Sequence, residues 1–143
     1  MDNELRDFLQ SIIDLEFEEK VELGRDALAS ILNNLPSYNV SEENISAFAF
    51  AATKLFVSAD LDCNQSEYDF FRAVTGIDIE PRDFYDLTNE GRDKQFVSDF
   101  MDLIKELTYE DRKHLIMYGV ALLSCDNVLK VDEIKLIDMI FKA

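Results

Sequence analysis

Apolar residues recur along this chain at intervals of three and four, which is the periodicity of helices. Leu5, Phe8, Leu9, Ile12 and Ile13 predict a first short helix. A second begins near Leu15 and carries Phe17, Val21, Gly24, Leu28, Ile31, Leu32 and Leu35 on one stripe. Gly24 lies on that stripe, where a missing side chain lets another helix come close. Asn33, Asn34 and Pro36 end this helix, because the residue before a proline is pushed out of the α region. Ser41 caps a third, with Glu42 and Glu43 in its first turn at the positive end of the dipole. From Ile45 to Ala59 apolar residues run nearly all the way round, as they do in a helix at the middle of a bundle.

Tyr68, Phe70, Phe71 and Val74 mark a fourth helix that stops near Gly76. The least regular part is residues 77–91, where Pro81 suits a helix first turn and Phe84, Tyr85 and Leu87 follow as a short fifth helix. Phe96, Phe100, Leu103, Ile104 and Leu107 define a sixth. Thr108 caps a seventh, which is again apolar almost all round, and the last helix runs from about Val131 to Phe141, burying Ile134, Ile137 and Phe141. No segment alternates with period two between hairpin turns. The expected fold is therefore all-α, a single-domain bundle of seven to eight helices over residues 1–143.

Two parts of the chain share one plan: hydroxyl cap, acidic first turn, all-apolar helix, acidic bend, amphipathic helix. They span residues 41–75 and 108–141. Asp60 and Glu67 stand seven apart in the first, as do Asp126 and Glu133 in the second. This predicts a pseudo-twofold repeat with its two apolar helices side by side and its bend carboxylates in one neighbourhood.

Composition narrows the function. Fourteen basic residues against thirty acidic give a net charge of −16, a surface that repels phosphate backbones and anionic membranes. Neither nucleic-acid binding nor membrane insertion is expected. The start of the chain has no basic segment followed by an apolar run, and a cytoplasmic location is expected. Cys63 and Cys125 form no CxxC and read as small apolar residues in a reducing compartment. Catalysis finds little support, since His114 is the sole histidine and no nucleophile elbow, P-loop or dinucleotide glycine cluster occurs.

The bends hold the candidate chemistry. A carboxylate at a helix C-terminus opposes the dipole, by about 0.3–1 kcal/mol, and calls for compensation. An Asx turn would supply it, and so would a bound cation. Glu67 has an ordinary explanation in a capping box with Asn64. Glu133 lacks that one, because Lys130 holds the cap position and its side chain accepts nothing from backbone N–H groups, although a carboxylate there still suits the dipole. Hard cations such as Ca²⁺, Mg²⁺ or Mn²⁺ take the oxygen ligands these residues offer. The candidate metal ligands are Asp126, Glu133, Asp60, Glu67 and Asp62. Neither bend is an EF-hand: Gln65 replaces the required glycine and Phe71 the bidentate glutamate of the first.

The run Ser124-Cys125-Asp126-Asn127-Val128-Leu129 through Glu133 resembles the Asp-Gly-x-aliphatic-x-x-x-Glu signature of the tellurite-resistance TerB-like family, and Ser58 to Glu67 is similar. The resemblance covers roughly residues 41–141. It implies an all-helical pseudo-twofold domain of non-enzymatic character, linked to bacterial stress responses and proposed to bind divalent metal. Where the family has glycine, this chain has Leu61 and Asn127; asparagine takes a left-handed backbone readily and leucine does not, so Asp126 and Glu133 carry the resemblance better than Asp60 and Glu67. The alternative expectation is an acidic interaction module that engages a basic protein or imitates nucleic acid, for which Glu16, Glu18, Glu19, Glu22 and Asp26 are the sequence hint.

Overall fold

A computed structural model describes residues 3–59 and 63–143. Among the described residues the chain forms eight α-helices and one 3-10 turn, with no strand. The fold is an all-α bundle. None of its helices is long and apolar enough to cross a membrane.

Helix α1 (Asn3–Ile13) buries Leu5, Leu9 and Ile12, and α2 (Phe17–Asn34) follows after a short turn. The expected stop at Asn34 holds, but the backbone continues as a 3-10 turn (Leu35–Tyr38) with Pro36 at its start and Asn39 at its end in the left-handed region, φ 60°. Asparagine tolerates that conformation because its short amide bonds locally. Helix α3 (Glu42–Val57) begins where Ser41 Oγ accepts from Asn44 N at 3.3 Å. Helix α4 (Gln65–Thr75) ends at Gly76, φ 69°, and α5 (Pro81–Glu90) opens on its proline. Asp93 and Thr108 cap α6 (Lys94–Glu106) and α7 (Tyr109–Leu123) through their side chains. Helix α8 (Val131–Phe141) buries Ile137 and Ile140, leaving Ile134 and Phe141 half-buried where full burial was expected of both.

Helix α7 is the axis of the bundle, touched by α1, α2, α3, α4 and α8. The longest interface is that of α2 with α7. Helix α3 meets α7 more locally, through a Thr53–Tyr118 hydroxyl pair at 2.7 Å and the Phe56 ring laid over Gly119. Burial pushes the Tyr118 phenol well above its ordinary range, so it stays a neutral hydroxyl. Gly24 performs the role its place on the stripe implies, because a Cβ there would sit 2.9 Å from the Phe70 ring of α4. Asp111 in the first turn of α7 is buried, accepting from Asn34 Nδ2 at 2.8 Å and from the Tyr38 hydroxyl, which in turn accepts from Thr108 N at 3.0 Å. That clasp fastens the 3-10 turn to the start of the axial helix. Glu16, just ahead of α2, and Glu18, Glu19, Glu22 and Asp26 on it are all exposed.

Candidate functional site

The second bend is built around a lysine. Helix α7 ends at Leu123 with Ser124 as its cap, and Asn127 N turns back to Ser124 O at 2.7 Å. Asn127 has φ 66°, the left-handed backbone that its place in the motif called for. Asp126 Oδ1 accepts from Val128 N at 3.2 Å, an Asx turn that leaves the side chain at the surface. Into this bend reaches Lys20 of α2, fully buried, whose ammonium donates to Ser124 O at 2.5 Å and Asn127 Oδ1 at 2.8 Å. A cation at the C-terminal carbonyls of a helix is favoured by its dipole. The compensation that the acidic bend requires is therefore partly internal to the chain.

Burial lowers the Lys20 pKa, with Cys125, Asp126, Asp14 and Glu16 pulling the other way. Glu133 is buried, and its Oε1 accepts from Lys130 N at 2.8 Å. This is the half of a capping box that needs nothing from the Lys130 side chain, so Glu133 has the local role that the sequence withheld from it.

In the first bend, Ser58 Oγ donates to Leu55 O at 2.9 Å and Gly91 O at 3.3 Å. Asn64 and Glu67 form the expected capping box: Glu67 N donates to Asn64 Oδ1 and Asn64 N to Glu67 Oε1, each at 3.0 Å. Glu67 is buried. Asp60 and Asp62, with Leu61 between them, lie outside the described residues.

Both bends bear on the acidity of Cys125. Burial first, then the carboxylates of Glu67 and Asp126, push its thiol up to about 12, against a smaller opposing pull from Lys20. A residue of the first bend and one of the second thus act on the same atom. At that value the thiol stays protonated at neutral pH and is a poor nucleophile. Cys63 and Cys125 are both free of disulfide, Cys125 buried and Cys63 half-buried. His114 is half-buried, with its Nδ1 lacking a hydrogen-bond partner. Among the described residues, no three His, Cys, Asp or Glu side chains stand close enough together to hold a metal ion.

Lys20 is the functional-site residue that sequence reasoning missed. Its signal was present: Lys20, Gly24, Ala27 and Ile31 follow one another at helical spacing, which puts the lysine on the buried stripe. In comparison with known proteins, no family model, curated protein or solved structure matches the chain.

Proposed function

We propose that this chain is a non-enzymatic, acidic helical domain of the TerB-like kind that takes a divalent cation where its two bends meet. What supports this is that carboxylates from separate bends, Glu67 and Asp126, both push the Cys125 thiol pKa up. Glu67 is buried, and a countercharge would favour its carboxylate beyond the hydrogen bond it accepts from Asn64 N. Lys20 supplies one positive charge in a chain whose net charge is −16. A hard cation bridging Asp126 at the surface with the acids of the first bend, Asp60, Asp62 and Glu67, would supply more, and the oxygen-only donor set suits Ca²⁺, Mg²⁺ or Mn²⁺. Glu133 enters as the residue that shapes the second bend. The reading includes a cytoplasmic role in stress response.

Isosteric amides test it cleanly. Gln at 67 still accepts from the cap backbone and Asn at 126 still makes an Asx turn, so both substitutions remove charge while keeping the local hydrogen bonds. In a chelator-treated sample, adding the cation at about 100 times its dissociation constant should stabilise the wild type by about 2.7 kcal/mol. For a chain of this size that is a rise in Tm on the order of 8 °C. The Glu67→Gln/Asp126→Asn double variant should lose the rise, whereas Glu18→Gln/Glu22→Gln, which removes as much charge from the exposed face of α2, should keep it. An equal response in all three proteins would mean general charge screening and end the proposal.

A further inference from the structure

On another face of the bundle, α3 and α6 leave a groove of about 540 Å³ open to solvent. Helix α3 lines it with Ala47, Phe48 and Ala51, and α6 with Phe96, Phe100 and Leu103. The helices are propped apart by the stacked rings of Phe48 and Phe100, whose centroids are 5.7 Å apart. Helix α6 fully buries only Phe100 and Ile104 over its 13 residues, and the half-buried Phe96 and Leu103 join Phe100 in lining the groove. Monomeric proteins seldom leave an apolar trough of this kind without a use for it.

Charge says what would fill it. Asp99, Asp102 and Glu106 stand at i, i+3 and i+7 along the α6 edge, all exposed. Glu43, four residues before Ala47, stands exposed on the α3 side. Among the described residues no lysine or arginine lines the groove, and nearby Lys54 lies over the Phe96 ring and is ion-paired with Glu90 at 3.3 Å. The arrangement is an apolar floor along two helices with an acidic margin.

We propose that this groove docks an amphipathic helix of another protein, one carrying lysines or arginines beside its apolar face. An apolar trough between two helices accepts the apolar face of a third, which would present its anchors at i, i+3/i+4 and i+7. An acidic margin repels fatty acids and other anionic ligands, and it repels a second copy of this acidic chain. The groove is independent of the cation reading, as it shares no residue with the bends.

The probe is a synthetic leucine–lysine helix about four turns long, titrated into the full isotope-labelled chain, with a peptide of the same composition scrambled to abolish its apolar face. Binding should move the amide signals of Ala47, Ala51, Phe96, Phe100 and Leu103, and should weaken as salt is raised. Ala47→Glu is the decisive variant. It fills the floor while adding negative charge, so groove docking should weaken about tenfold, whereas mere attraction between opposite charges would strengthen. Asp99→Asn/Asp102→Asn, both exposed and conservative, should weaken binding several-fold with the fold intact. Equal binding of the scrambled peptide, tighter binding to Ala47→Glu, signals that move elsewhere, or a groove-mediated dimer in sedimentation would each overturn the proposal.

Discussion

Replacing Lys20 by alanine should destabilise the protein by about 2–4 kcal/mol, the cost of emptying a buried side-chain site and leaving its hydrogen-bond acceptors unmet. The loss has two parts. The four-carbon stem leaves a cavity beneath α2, and Ser124 O and Asn127 Oδ1 lose the ammonium that satisfies them at 2.5 and 2.8 Å. Lys20→Met separates these parts, since it keeps the stem volume and removes the donor; its cost should be about 1–3 kcal/mol. Urea melts of the three proteins give the order wild type, methionine, alanine.

The pH dependence has a definite sign. Burial holds the folded-state pKa of Lys20 below its ordinary 10.5. Between the folded value and 10.5 the unfolded chain binds the proton more strongly, so stability rises with pH through that window. Below it the desolvation cost is present in full, and above 10.5 it is gone. The raised pKa of Cys125 acts in the opposite direction, because the unfolded thiol ionises first, from 9.0, while the folded one waits until about 12. Both wild type and Lys20→Met carry that cysteine, so its own contribution largely cancels in the difference between their stabilities, which leaves the lysine together with its pull on the thiol. That difference should shift in favour of wild type as pH climbs toward 10.5. A flat difference would show that Lys20 is solvated in the native state.

The second large effect is expected at Gly119. A Cβ there would lie inside the van der Waals surface of the Phe56 ring, and Phe56 is itself fully buried. Helix propensity favours alanine over glycine by about 1 kcal/mol, but forcing an atom into a filled core costs about 1–3 kcal/mol or more. Packing should win. Gly119→Ala is expected to lose about 1–2 kcal/mol net, and Gly119→Val, with a branched side chain in the same space, at least about 3 kcal/mol. Thermal melts should also show rescue: Phe56→Leu costs stability in the wild type yet should restore some to Gly119→Ala, because the smaller side chain yields room. Additive losses in that pair would place the clash elsewhere.

Local signals in the sequence were sufficient for local structure. Hydroxyl caps at Ser41 and Thr108, the Asn64–Glu67 box, the proline at the start of α5 and the left-handed Asn127 were readable because each depends on residues within one turn of the chain. What escaped depends on partners far away. Asp111 reads as a first-turn acid suited to the dipole, and it is also the buried acceptor for Asn34 and Tyr38, more than seventy residues earlier in the chain. Lys20 reads as one charge among the glutamates of α2, and it ends against Ser124 and Asn127. A search for apolar stripes passes over a lysine even when it lies on the stripe. The expectation of two apolar helices side by side understated α2, since period alone ranks helices by how buried they are and not by which neighbour buries them. Of the candidate ligands, Glu67 and Asp126 both raise the pKa of Cys125 and Glu133 serves its own helix start; Asp60 and Asp62 fall outside the described residues.

The slender anchorage of α6 has a consequence for how the native state breathes. Five helices grip α7, whereas α6 fully buries only Phe100 and Ile104, with the adjoining Leu107, and packs Phe96, Met101 and Leu103 half-buried against the core. Free energies of partial opening follow buried apolar contact, so this segment can lift away at a small fraction of the global unfolding cost while the axis stays closed. Proton exchange at backbone amides would then span a steep gradient, fastest along this loosely moored edge and slowest at the molecule's centre.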